Sequence, residues 1–259
     1  MLTFGSCFWQ TGGVTATTGR RARLRAELVR DIKNEARRQV TESGAPALSL
    51  RAIARELGMV SSGIYRYFAS RDELLTALII DAYNDLGAAA ESADASCERS
   101  DFFGRWRAAC HAVRSWAREH PHEYALVYGS PVPGYRAPEE TIGPASRVTS
   151  VLAAVALEAA AAGALQRPST PAQTPEMSGR AAAEGTRIGA VVLPGLPPDA
   201  AVRALAAWTQ LFGFISFELF GHLVGVVEDL DAIFDQAVTD VGAFVGLIPP
   251  ATPGRPSRA

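Results

Sequence analysis

Cysteine is scarce in this chain. There are three in 259 residues, Cys7, Cys97 and Cys110, an odd number with no Cys-x-x-Cys spacing. That excludes a disulfide scaffold and a thiolate metal site, and it fits a reducing compartment, here expected to be the cytoplasm. Histidine offers no more: His120 and His122 lack a partner cluster, and His111 and His222 stand alone, so all four read as ordinary core or surface groups and no metal is expected. Also missing are a Gly-x-Ser-x-Gly elbow, a phosphate loop, and a Gly-x-Gly-x-x-Gly after a strand; nothing alternates as a strand does. The enzyme classes that carry those motifs are excluded, and no cofactor is implied. The first nineteen residues, MLTFGSCFWQTGGVTATTG, have no basic n-region and too short an apolar run for a secretory signal. They read as a disordered tail, as do residues 248–259.

What the chain has is an uneven distribution of charge. Its net charge is only -2, yet from Arg20 to Arg71 there are twelve Arg and Lys against five acids, so the remainder is acidic. A basic head on an acidic body points to a polyanion that meets the head alone, and double-stranded DNA is the expected partner. With 48% hydrophobic and 20% charged residues, the chain is long enough for two domains with a substantial core.

The most informative stretch is SLRAIARELGMVSSGIYRYF, Ser49 to Phe68. Leu50, Ile53, Ala54 and Leu57 make one helical stripe, Gly58 supplies the left-handed residue that ends a helix, and Ser61 is placed to cap a second. Met59, Ile64 and Tyr67 pack the pair. The second helix carries Ser61, Ser62, Gly63, Tyr65, Arg66 and Tyr67, a polar and aromatic surface suited to a major groove with its ends on phosphates. Before it, Leu24, Leu28, Ile32, Ala36 and Val40 repeat every four residues along a long helix. Arg20, Arg21, Arg23 and Arg25 at its start are expected to act as an arm on the backbone or minor groove rather than as a merely solvated face. After it, Ser70-Arg71-Asp72-Glu73 is a capping box that opens a helix through Leu74, Leu75, Leu78, Ile79, Ala82 and Leu86. Arg71 there could hold a phosphate.

Residues 23–80, with LSLRAIARELGMVSSGIYRYFASRDELL at their centre, resemble the DNA-binding domain of the TetR/AcrR family of transcriptional regulators. The likeness rests on the alanine and glycine of the turn, the Tyr65-Arg66-Tyr67-Phe68 run and the basic-acidic-acidic-Leu start of the following helix. It implies an all-α homodimer whose two heads read a pseudo-palindromic operator, usually to repress, until a small-molecule effector binds the body. The candidate DNA-contact set is Arg21, Arg23, Ser49, Leu50, Arg51, Ser61, Ser62, Gly63, Tyr65, Arg66, Tyr67 and Arg71, with a helix-turn-helix domain over 20–70.

The body, 71–247, is expected to be helical, regulatory and dimerising. Phe102 to Trp116 repeat with helical spacing, His120-Pro121 mark a break, and Pro138-Glu139-Glu140 open a further helix. Residues 166–198, rich in Pro, Gly, Ala, Ser and Thr, read as a flexible insertion. Ala201 to Val227 is apolar all round, but Glu218 at its centre and the acids that follow argue against a membrane span. It is expected to pack one face on the body and the other on a second subunit, with Gly213, Phe217, Phe220, Gly221, Phe234 and Val241 at the interface. An apolar effector pocket is expected among Trp106, Cys110, Trp116, Tyr124, Tyr128, Trp208 and Phe212. The segment HPHEYALVYGSPVPGY and the Trp208 helix resemble the WHG type of C-terminal domain. A helical protein-binding adaptor, or an enzyme with no recognisable motif, would each leave the basic head unexplained.

Overall fold

The computed structural model describes residues 13–166, 177–191 and 196–247. Among them the regular structure is helical, with no strand: α1 (Gly13–Ser43), α2 (Leu50–Glu56), α3 (Arg71–Ala95), α4 (Phe102–Glu119), α5 (Pro121–Tyr128), α6 (Ile142–Ala161), α7 (Gly179–Val191), α8 (Pro198–Leu219) and α9 (Leu230–Val245). The chain divides into two compact units, one of residues 1–78 with 132–135, the other of 79–131 with 136–259.

In the first unit, Ile32, Ala36 and Val40 of α1, Ile53 and Ala54 of α2, Ile64, Phe68 and the Leu74-Leu75 pair of α3 are buried together. The four-residue repeat therefore packs as expected from Leu28 onward, but Leu24 is 55% exposed. Residues 20–27 of α1 are all exposed, so this part of the helix buries no apolar side chain in its unit. The helix also begins at Gly13, inside the expected tail, whose first twelve residues lie outside the described ones. Along α1, Arg38 bridges Glu35 and Glu42 one turn away on either side, pairs that solvent around the exposed Arg38 weakens.

Both helix starts in this unit are capped by serine. Ser49 Oγ accepts from Ala52 N–H at 3.3 Å, and Ser70 Oγ from Glu73 N–H at 3.1 Å, while Glu73 reaches back to Ala69 N–H at 2.6 Å. Gly58, at φ 64°, ends α2. It lets the Met59 N–H reach the Ala54 carbonyl at 2.8 Å, closing the turn.

The second unit is a helical layer around α4. Its stripe of Phe103, Trp106, Ala109, Cys110, Val113 and Trp116 meets Val148, Leu152, Val155 and Ala159 of α6 on one side, and Leu211, Ile215, Phe234, Val238 and Val241 of α8 and α9 on the other. Pro121 follows a His120 cap into α5, and Asp229 Oδ1 caps α9 at Ala232 N–H, 2.9 Å. Residues 166–198 hold a helix, α7, where a flexible insertion was expected. The reason is local: Arg180-Ala-Ala-Ala-Glu-Gly-Thr-Arg-Ile has strong helix formers once separated from the prolines around it, and Gly185 is buried against the start of α8. A methyl group at Gly185 would overlap the Pro198 carbonyl oxygen, so the two backbones approach as closely as glycine permits.

Charges inside this unit are paired. Arg105, wholly buried, bonds Asp94 at 2.7 Å and Glu158 at 2.8 Å. Arg114 and Glu218, both nearly buried, share two bonds of 2.7 and 2.8 Å, with Asp231 a further partner of Arg114. The Glu218 that argued against a membrane span thus ties α8 to α4. Helix α8 does pass a length-and-hydropathy test for a span, at mean hydropathy 1.3.

Candidate nucleic-acid interface and effector cavity

The segment after Gly58 is not a full helix. Ser61, Ser62 and Gly63 form a turn that runs into a 3-10 helix at Ile64–Arg66, with Gly63 N–H on Val60 O at 2.7 Å and Tyr67 N–H on Ile64 O at 2.9 Å. Two serines and a glycine are weak helix formers, and the winding lasts little more than one turn before buried Phe68. The outcome is a compact knob whose Ser61, Ser62, Tyr65 and Arg66 are exposed while Ile64 and Phe68 anchor it. At Gly63 the fit is tight: a Cβ there would sit 3.0 Å from Val60 O.

Of the remaining expected DNA-contact residues, Arg21, Arg23 and Arg51 are exposed. Ser49 is half-buried; its backbone N–H bonds Gln39 at 3.2 Å and its hydroxyl oxygen caps α2, leaving the hydroxyl proton to donate outward. Leu50 is 5% exposed and belongs to the core, so it is corrected from contact to support. Tyr67 is half-buried under the Arg25 guanidinium, 5.0 Å from its ring centre, and Arg25 also donates to Arg66 O at 3.3 Å. Arg25 braces the knob, a role hidden in a sequence separation of 41 residues. Arg71 donates to Ala45 O at 2.9 Å and pairs with Asp72, so its guanidinium is already engaged within the unit.

In the second unit a cavity of about 280 Å³ is walled by Trp106 of α4, Leu152 and Ala156 of α6, Ile188 of α7, Trp208 of α8 and Val245 of α9. A much smaller one, about 20 Å³, touches Trp106 and Cys110. Of the seven residues expected to line an effector pocket, Trp106, Cys110 and Trp208 line these spaces and four do not. Trp116 packs on His120; Tyr124 is buried, donating to Phe212 O at 3.1 Å, and Tyr128 stacks on Phe212 at 4.2 Å. These rings fill the junction of α5 with α8. Burial pushes the Tyr124 hydroxyl up to about 12 and the Cys110 thiol up as well, so neither ionises at neutral pH.

The expected dimer residues also separate. Phe217 and Phe220 are 55% and 45% exposed, but Phe234 and Val241 lie in the core. On α9 it is Ile233 and Phe244, one and three positions away, that face outward. Helix α8 ends at Leu219, so Gly221 and Gly225, at φ 80° and 76°, shape the turn after it rather than a close helix crossing. Gly213 stays on α8, with no neighbour within 4 Å of its would-be Cβ.

Comparison with known proteins decides between the readings. Residues 32–78 match the bacterial regulatory proteins of the tetR family, and residues 106–241 the tetracyclin repressor-like C-terminal domain. The chain is 38% identical over 225 residues to the HTH-type transcriptional regulator Rv1816 of Mycobacterium tuberculosis and, equally, to Mb1846 of Mycobacterium bovis. Those alignments cover 85% of this chain and 93% of each relative. The chain belongs to the TetR family.

Among solved structures, SCO4313 superposes with a TM-score of 0.68 at 33% identity over 85% of this chain and 97% of that one. A protein of unknown function from Rhodococcus sp. RHA1 gives 0.60 at 26%, over 84% and 93%. As a TetR-family member the chain is a DNA-binding transcriptional regulator and not an enzyme. The family match covers both Tyr65 and its serine neighbours in the head and the α4–α9 helices that enclose the cavity.

Proposed function

We propose that this TetR-family regulator is a homodimeric repressor that binds a pseudo-palindromic operator, associates with the nucleoid and is released by a small apolar effector. The observation that carries the DNA-reading part is the knob of Ser61, Ser62, Tyr65 and Arg66, exposed on a turn that two buried side chains hold still. Such a knob reaches only a few base edges, so useful specificity calls for two heads on successive major grooves, about 34–36 Å apart. Arg51, Arg21 and Arg23 supply phosphate or minor-groove contacts, with Ser49 as a hydroxyl donor.

Support for the dimer comes from α8 and α9. Their outward side carries Phe217, Phe220, Ile233 and Phe244, large apolar groups at 43–55% exposure, a face that a second copy would cover. Support for release comes from the cavity among α4, α6, α7, α8 and α9. An effector acts there only if it binds the DNA-incompetent arrangement more tightly than the competent one.

Selection of bound sequences from a random duplex pool at near-physiological salt tests the reading. The expected result is an enriched inverted repeat. A folded, dimeric protein that enriches a single unrepeated half-site would remove the two-headed operator from the proposal.

A further inference from the structure

What the cavity accepts can be read from its walls, on the premise that it is the effector site proposed above. No charged side chain lines it. Thr149 supplies the hydroxyl among its lining residues, and the Trp106 N–H is committed, donating to Val238 O at 3.1 Å. Thr149 makes no hydrogen bond among the described residues, whereas the other α-helical threonines described in this unit, Thr186, Thr209 and Thr239, each donate to a carbonyl three or four residues back. The Trp208 N–H has no acceptor among the described residues, but it is sealed beneath the wall surface and does not meet a guest. One donor, the Thr149 hydroxyl, is therefore unspent beside a largely hydrocarbon wall.

A charged molecule entering this space would lose its hydration with no counter-charge to replace it. A pure hydrocarbon would leave the Thr149 hydroxyl unmet. A cavity of about 150 Å³ takes a benzene, so about 280 Å³ holds on the order of ten non-hydrogen atoms. We infer that the cavity binds an uncharged, mainly hydrocarbon molecule of about ten non-hydrogen atoms with one acceptor oxygen, which the Thr149 hydroxyl holds.

The test titrates the full chain, without DNA, with three probes of one chain length: 2-nonanone, nonanoate and nonylammonium. Binding is read by calorimetry and by quenching of tryptophan fluorescence. The ketone is expected to bind at least about tenfold more tightly than either ion. Thr149→Val, which keeps the shape and removes the hydroxyl, should weaken the ketone by about fivefold. Ala153→Phe should fill the cavity and abolish binding, and the smaller Ala204→Leu, which is the safer fold, should reduce it. Equal or tighter binding of either ion, no ketone binding, an unchanged affinity in Thr149→Val, or ketone binding undiminished in both filled variants would overturn the inference. Operator affinity is measured separately: a ketone that binds as expected without moving it supports the inferred ligand chemistry and removes effector-driven release instead.

Discussion

The two units use arginine in opposite ways. In the second unit Arg105, Arg114 and Arg147 are locked into carboxylates, two of them in the interior, and their charge holds helices together. In the first, Arg51 and Arg66 stand exposed on α2 and the knob, available to a partner rather than spent on the fold. The same side chain is a structural clamp in one place and a displayed charge in the other, and burial of its neighbours decides which. Removing a clamp strands a buried carboxylate, whereas removing a displayed charge leaves nothing unpaired.

That contrast is most directly broken by Arg114→Ala. Glu218 would be left buried without its two short hydrogen bonds, with only the more exposed Arg118 at 3.8 Å, and the expected loss is about 3–5 kcal/mol, a fall of roughly 6–20 °C in Tm by calorimetry. A change of a degree or two would show that the pair is not holding α8 to α4. The next effect concerns assembly: Phe217→Glu with Phe220→Glu should give monomers in sedimentation, with operator affinity down by about a hundredfold or more as the two-headed grip is lost. A normal dimer would take the end of α8 out of the interface.

For the displayed groups the outcome should be reversed, with function lost and stability kept. Tyr65→Ala is expected to lower operator affinity about tenfold with Tm unchanged within about a degree. Arg51→Ala should weaken all sequences alike and reduce the salt slope by about one. The smallest effect is that of acid on the buried Arg105 cluster. Burial alone would raise the Asp94 carboxyl, but hydrogen bonds from Arg105 and Arg99 outweigh it and hold it below its ordinary value; Glu158 is lowered first by its bond from Arg105. Folded carboxyls that shed protons more readily than unfolded ones contribute fully above about pH 4.3 and lose that contribution on acidification below it. The denaturant midpoint should therefore drop between about pH 5 and pH 3, and Asp94→Asn, less stable at neutral pH, should flatten that limb.

How far the sequence could be read follows the same division. In the head, the cues are short-range: the glycine at positive φ and the Ser70 capping box act within four residues of themselves and stand as expected. Ser61, expected to cap the second helix, makes no cap bond, since that helix starts at Gly63 without one, and the serine that caps is Ser49, on α2. What escaped was the length of the helix after the turn, because the residues that mark where a helix can start say nothing of how soon it ends. Leu24 was placed inside by its four-residue repeat, yet no element packs opposite it. In the body, periodicity found α4, α5, α6, α8 and α9, but could not tell which apolar side of a helix meets its own chain. On α9 a shift of one to three residues exchanged Phe234 and Val241 for Ile233 and Phe244. The aromatic residues were sought as pocket lining, and four of the seven expected residues are instead mutual packing, since rings that stack on one another leave no room for a guest. The cavity walls are mostly Ala, Leu and Ile, residues that carry no signal in a single sequence.

The bare glycine where α7 meets α8 has a consequence for divergence among relatives. Because Gly185 puts backbone against the Pro198 carbonyl, the separation of these two helices is set without any side chain between them. Wall residues such as Leu152, Ala153 and Ala204 can then drift in size while the frame keeps its spacing. A lineage could exchange one effector for another by a few substitutions on the walls, and the position least free to vary would be one that no effector touches.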